Sequence, residues 1–219
     1  MIPGPDQIIA CPKCKGLGRY MTLVSGNTIG ERVWSDGRQI YPMLPRPPAV
    51  VKCRHCAGCY WLSDAEEVGT DYGVEGEGED DNPDWADAGN IEEPTEEEYY
   101  DALDKGLARD ALQERSLRIL AWWRRNDAFR DAAQELPQGD STVQGACREN
   151  LVALVKLLGT DDDVDCLMKV EVLRELGRFE SAKEVLSGVD SSNVAAVARQ
   201  FRVFCDNQDT CVRELHFDH

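Results

Sequence analysis

The sequence predicts an α+β multidomain chain in three parts. These are a small β ribbon built around cysteines at residues 1–62, an acidic flexible linker at 63–98, and an all-α helical-hairpin domain at 99–219. Three observations predict this. Two C-x-x-C pairs, Cys11-Pro-Lys-Cys14 and Cys53-Arg-His-Cys56, stand 38 residues apart in the first part. Every one of the 18 charged side chains between residues 55 and 104 is acidic. From Glu96 onward, apolar residues recur at helical spacing.

The cysteines carry the most chemistry. A C-x-x-C turn aims two thiolates at one point, and two such turns complete the closed tetrahedral site of a structural Zn²⁺. Cys11, Cys14, Cys53 and Cys56 are the expected ligands. Gly16 and Gly18 follow the first pair and Gly58 the second, where the backbone is expected to bend around the ion. A site closed by four thiolates has no position for water, so it is expected to hold a fold rather than to catalyse.

A disulfide framework is the rival reading. The start Met1-Ile-Pro-Gly-Pro-Asp has no basic n-region and no long apolar h-region, and nine cysteines is an odd number. The longest apolar stretch, Leu151 to Leu158, is interrupted by Lys156 and is too short to span a bilayer. The chain is therefore expected to be cytoplasmic and reduced, where paired C-x-x-C motifs favour metal. A thioredoxin-like redox pair would need a βαβ context, and none is visible.

Between the pairs the sequence alternates like strands. Arg19 to Val24 is β-prone, Ser25-Gly-Asn-Thr28 supplies turn residues, and Glu31-Arg-Val-Trp34 and Gln39-Ile-Tyr41 flank Asp36-Gly37. That dipeptide predicts a two-residue hairpin turn. Four prolines between Pro42 and Pro48 then exclude regular structure before Ala49 to Lys52 enters the second pair. Cys59 extends that pair to C-x-x-C-x-x-C but is expected to pack rather than ligate, and His55 is expected to be exposed. So small a core needs the metal as a staple. The run Cys11-Pro-Lys-Cys-Lys-Gly-Leu-Gly18 resembles the C-x-x-C-x-G-x-G repeat of DnaJ-type chaperone zinc domains. Those domains carry four repeats and this chain two, so the resemblance implies the turn geometry and not client binding.

The net charge of −17 is uneven: +5 over residues 1–54, −18 over 55–104 and −4 over 105–219. Gly73-Val-Glu-Gly-Glu-Gly-Glu-Asp-Asp-Asn-Pro-Asp84 has too little apolar surface to offset its ordering entropy, which predicts a linker extended by self-repulsion. It either keeps two domains apart, presents a polyanion to a basic partner, or folds back on the basic ribbon. The positive charge of the ribbon has a local use, because Lys13, Lys15, Lys52 and Arg54 flank thiolates that sum with Zn²⁺ to −2.

The C-terminal part reads as helices over Leu107–Arg125, from an Asn126-Asp127 cap to Pro137-Gln-Gly139, over Ser141–Leu158, and onward from a cap within Thr160–Asp163. Arg115, Arg118, Arg124 and Arg125 are expected to face solvent, and Trp122-Trp123 to bury one ring and half-cover the other. Asp161, Asp163 and Asp165 mimic a calcium loop, but Cys166 replaces its glycine and Val172 its glutamate. Leu176-Gly177, Phe179, Ala182 and Leu186 resemble the inter-helix corner of a tetratricopeptide repeat over about 20 residues of a 34-residue unit. That resemblance implies stacked helical pairs and a concave protein-binding surface. Cys147 and Cys166 fit core positions. Cys205, Cys211, His216 and His219 make a conceivable second metal site of unusual spacing.

No H-E-x-x-H, G-x-S-x-G or P-loop occurs, so no enzyme is expected. The expected work is that of a non-catalytic interaction module (adaptor, chaperone or immunity-type inhibitor) for a basic protein, with nucleic acid an unlikely partner. The alternative is a nucleic-acid-linked regulator whose zinc ribbon is gated by the acidic linker.

Overall fold

The computed structural model describes residues 1–73, 83–131, 143–189 and 194–217. In chain order its strands are β1 (Ile2–Ala10), β2 (Leu17–Ser25), β3 (Arg32–Trp34), β4 (Gln39–Ile40), β5 (Val50–Lys52), β6 (Cys59–Trp61), β7 (Glu66–Asp71), β8 (Gly89–Asn90) and β9 (Glu214–Leu215). The helices are α1 (Glu96–Asp104), α2 (Ala111–Asp131), α3 (Gly145–Leu157), α4 (Asp163–Glu175), α5 (Phe179–Ser187) and α6 (Ala195–Asp206). The α+β class expected from sequence is present, with sheets toward the N-terminus and helices toward the C-terminus. Among the described residues no helix is long and apolar enough to cross a membrane.

The chain divides into two compact units. One holds Met1–Glu31 with Tyr41–Leu107; the other holds Arg32–Ile40 with Ala108–His219. The nine residues of β3, β4 and their turn thus leave the first unit and belong to the second.

In the first unit the sheet order is β7-β1-β2-β8. β1 runs antiparallel to both β2 and β7, and it is paired on both sides only from Asp6 to Ala10. Pro3 and Pro5 fall where the register breaks, as residues without a backbone N–H must. Ile8 is buried with Trp85 and Ala88. Gly69 lies against the Trp85 ring so closely that a Cβ there would collide with it. The segment expected to be linker therefore supplies β7, Trp85, β8 and the start of α1, while residues 74–82 lie outside the described residues. Its apolar side chains explain the order: Trp85 and Ala88 are buried and Ile91 packs on the cysteine cluster. α1 begins in a capping box, with the Thr95 hydroxyl accepting from the Glu98 N–H at 3.3 Å and the Glu98 carboxylate accepting from the Thr95 N–H at 3.0 Å.

In the second unit β3 lies between β4 and β9. Its turn is not the two-residue type expected. Val33 pairs with Gln39, the Gly37 N–H reaches the Trp34 carbonyl at 2.9 Å, and Gly37 alone has positive φ (+79°). The mirror-image turn would need Asp36 left-handed as well, so the chain takes the longer loop with glycine at the left-handed position.

The helices form two clusters of buried side chains, one centred on Trp122, Leu151 and Val172, the other on Val170, Ala182 and Phe201. α2 continues through Asn126-Asp127 to Asp131; Asn126 does not cap a new helix but is buried within this one. The expected stop at Pro137–Gly139 and the expected start at Ser141 lie outside the described residues. α4 starts at the Asp162 cap, whose carboxylate accepts from the Asp165 N–H at 3.0 Å. It ends in a Schellman motif: Gly177 has φ +71°, and the N–H groups of Gly177 and Arg178 reach the carbonyls of Arg174 and Leu173. Ala182, fully buried, lets α5 pack closely on α4. Of the arginines expected in solvent, Arg115 pairs with Asp165, and Arg118 with Glu114 and Asn150. Trp122 is buried and Trp123 half-buried, as expected.

Candidate metal centre

Each cysteine pair sits at the tip of an antiparallel hairpin, the first joining β1 to β2 and the second β5 to β6. The two tips repeat one geometry. Cys11 N–H donates to the Gly16 carbonyl and Lys15 N–H to the Cys11 carbonyl, both at 3.0 Å. Cys53 N–H donates to the Gly58 carbonyl at 3.0 Å and Ala57 N–H to the Cys53 carbonyl at 2.8 Å. The left-handed residue of each tip is the fifth, Lys15 (φ 61°) and Ala57 (φ 55°), rather than the glycines to which the bend was assigned. Gly16 has another role. A Cβ there would collide with the ring of His55, which crosses from the second tip. His55 is exposed as expected, and its Nε2 donates to the Leu17 carbonyl at 3.1 Å. This bond ties one tip to the other.

The four sulfurs of Cys11, Cys14, Cys53 and Cys56 lie within 4.8 Å of one another. Four sulfurs at about 2.3 Å from a tetrahedral ion would be about 3.8 Å apart. The Sγ atoms of Cys11 and Cys56 are 3.9 Å apart and those of Cys14 and Cys53 are 3.5 Å apart, so the spacing fits such an ion and no disulfide joins them. Cys11 and Cys53 are buried among Val51 and Tyr60, while Cys14 and Cys56 are exposed. Burial pushes the Cys53 thiol up to about 12. The Gly58 N–H holds Cys56 below the ordinary thiol range. A bound cation favours the thiolate at all four positions.

Cys59 is not in the group; it is half-buried, burial raises its pKa, and its sulfur faces the Glu98 carbonyl at 3.9 Å. Among the described residues no other cluster of His, Cys, Asp or Glu is spaced to hold a metal. That includes Asp161, Asp163 and Asp165, and it includes Cys205, Cys211 and His216; His219 lies outside the described residues.

Sequence reasoning missed which groups surround the site. Lys15 pairs with Glu66 at 2.9 Å, Arg54 with Glu92 at 3.6 Å, and Lys52 with Glu98. All three carboxylates come from the acidic segment, which folds back on the ribbon cations. The signal was the coincidence of +5 and −18 in adjacent segments, but charge alone does not choose partners.

No family model, curated protein or solved structure matches this chain.

Proposed function

We propose that this chain is a non-catalytic, zinc-binding protein-interaction module whose partner is a basic protein, as an adaptor, a chaperone or an immunity-type inhibitor. The observation that carries this reading is the charge arrangement around the thiols. Lys15, Lys52 and Arg54 are already engaged by Glu66, Glu98 and Glu92, while Glu67, Asp87, Glu97 and Asp104 stay exposed. Such a surface attracts cationic partners and repels phosphate. The nucleic-acid regulator reading loses support for the same reason.

Zinc is the ion best suited to four soft, tetrahedrally spaced thiolates. When bound it supplies a closed cross-link between the two hairpin tips and no open coordination position. The α4–α5 corner, with Leu176, Gly177, Phe179 and Ala182, supports helical pairing of the tetratricopeptide kind as the protein-binding part. A cytoplasmic location, where thiols stay reduced and paired C-x-x-C motifs take up metal, belongs to the same reading.

The test uses the full chain as bait in lysate of its host, washed at low salt and then at about 0.5 M salt, where exposed charge pairs are screened. The expected result is a discrete basic protein released by the salt step. Nucleic acid in the eluate, or a partner indifferent to salt, overturns the reading.

A further inference from the structure

The nine residues Arg32–Ile40 lie between the two cysteine pairs in sequence, yet they are embedded in the helical unit. They are held there through polar recognition of their turn together with the buried ring of Trp34 and the packing of Val33 on the Phe201 cluster. The Asp36 carboxylate, fully buried, is paired with Arg130 and accepts from Asn126 Nδ2 at 3.0 Å. Its backbone carbonyl accepts from Trp123 Nε1 at 2.9 Å. The Ser35 hydroxyl donates to Glu171 at 2.6 Å and accepts from the Arg213 N–H at 2.8 Å. Gly37 rests on Met168 with no room to spare for a Cβ. The Arg38 guanidinium stacks 5.1 Å from the Trp123 ring. Along one edge, β3 adds to β9, pairing Val33 with Leu215 and Trp34 with Glu214.

The groups that receive the turn are also held by partners outside it. Arg130 is also held by the Trp123 carbonyl at 2.9 Å and by Asp127 at 2.6 Å. Asn126 also donates to Glu175 at 2.9 Å, and both oxygens of Glu171 accept from Arg174, Oε1 at 2.6 Å and Oε2 at 2.8 Å. A rigid, desolvated set of donors that matches one carboxylate and one carbonyl is how a protein reads a peptide turn, and strand addition at an edge is how it reads the flanking backbone. The hairpin is short, is discontinuous in sequence from the helices, and is flanked on both sides by exposed residues, 26–31 and 42–43. It has the attributes of a ligand supplied in cis.

We propose that the face built from α2, α4 and β9 is a recognition site for a Ser-Asp-Gly-Arg turn, and that the chain's own hairpin Arg32–Ile40 is its resident occupant. The site is self-masked: tethering gives the hairpin a high effective concentration, so an outside protein presenting a similar turn has to displace it. This does not rest on the function proposed above, which concerns exposed charge rather than this buried face.

The test nicks the otherwise intact chain. Recognition sequences for a site-specific protease are inserted after Asn27 and after Arg46, both in exposed segments. After cleavage, a labelled synthetic peptide of residues 28–46 is added, and its exchange for the excised segment is followed by fluorescence anisotropy, with far-UV circular dichroism as a check on the helices. The expected result is retained helicity, saturable exchange, and at least tenfold weaker entry of the same peptide carrying Asp36→Ala. Collapse of the helices on cleavage, or failure of any peptide to enter, identifies the hairpin as indispensable core and overturns the proposal. Equal entry of the two peptides also overturns it, since the turn is then not what is read.

Discussion

Cys11, Cys14, Cys53 and Cys56 come from two copies of one local turn, whereas Asp36, Asn126, Arg130, Glu171, Arg174 and Glu175 come from three elements far apart in sequence. The first group needs only that two hairpin tips meet. Each tip presets its own sulfurs through the same pair of backbone hydrogen bonds. The second group exists only once β3, β4, α2 and α4 are assembled, and no member is positioned by its neighbours in sequence alone. The energetics differ in the same way. Binding a metal to four thiolates is strongly favourable in itself and is added directly to folding. A buried charge cluster is a near-balance between desolvation and pairing, and its main effect is to penalise any arrangement that leaves one member alone.

Taking the ion away probes the first plan and has the largest expected effect. Cys11→Ser, or a strong chelator, should remove up to about 10 kcal/mol of apparent folding energy from the ribbon, the scale of structural zinc sites. Metal content should fall from one ion per chain to none by atomic emission, and amide dispersion of residues 1–31 should collapse. Helices α2 to α6, which draw no residue from the site, should keep their far-UV signal. Loss of both together would show that the two plans are coupled.

Taking one partner from the second plan comes next. Arg174 is fully buried and binds Glu171 through Nε at 2.8 Å, while Nη2 donates to the Cys211 carbonyl at 2.5 Å. Arg174→Met strands a buried carboxylate and should cost about 3–5 kcal/mol, read from urea unfolding of the full chain. Adding Glu171→Leu should recover only part of this. The carbonyls of Asp209 and Cys211 stay without their donor, and Ser35 loses its acceptor.

The cluster also has a pH dependence that the thiol site cannot mimic, because three buried carboxylates face two buried guanidiniums. Burial, then the charges of Glu171 and Asp36, pushes Glu175 up to about 8 from an ordinary 4.5. Folded Glu175 therefore binds a proton that the unfolded chain releases. Its contribution to stability is complete below about pH 4.5 and is lost as pH rises to about 8. Urea midpoints of the helical unit should fall between pH 5.5 and 8.5, and Glu175→Gln should flatten that slope. An unchanged slope in the variant would move the titration to Glu171, whose pKa burial also raises.

How much of this was legible follows the same division. The spacing C-x-x-C names all four sulfurs because the turn that presents them is local, and Leu176-Gly177 marks the end of α4 because a left-handed residue must sit there. Asn126-Asp127 was misread as a cap because an asparagine that caps and an asparagine that binds a distant aspartate look alike in sequence. Asp36-Gly37 signalled a turn correctly and hid its destination. The acidic segment was misjudged from its average. Its charge density outweighs Trp85, Ala88 and Ile91 in composition, but those few side chains find a core, and Glu66, Glu92 and Glu98 find cations.

Glu98 is where the local and the long-range plans meet in one side chain, and it sets the smallest of the expected effects. One carboxylate oxygen closes the capping box on the Thr95 N–H, a contact four residues of sequence encode; the other pairs with Lys52, at the entry to the second cysteine pair, which no local pattern encodes. Lys52 is the first cause of the depressed Glu98 pKa and the Thr95 backbone the second. Thr95→Ala removes the hydroxyl that accepts from the Glu98 N–H and should cost about 1 kcal/mol, with Thr95→Ser restoring it. Glu98→Gln keeps an acceptor for the box but gives up the ion pair, which is a third exposed, so its effect should be smaller and should vanish with added salt. If Glu98→Gln instead costs more than Thr95→Ala and does so at every salt concentration, the carboxylate is positioning the second cysteine hairpin through Lys52 rather than the start of α1.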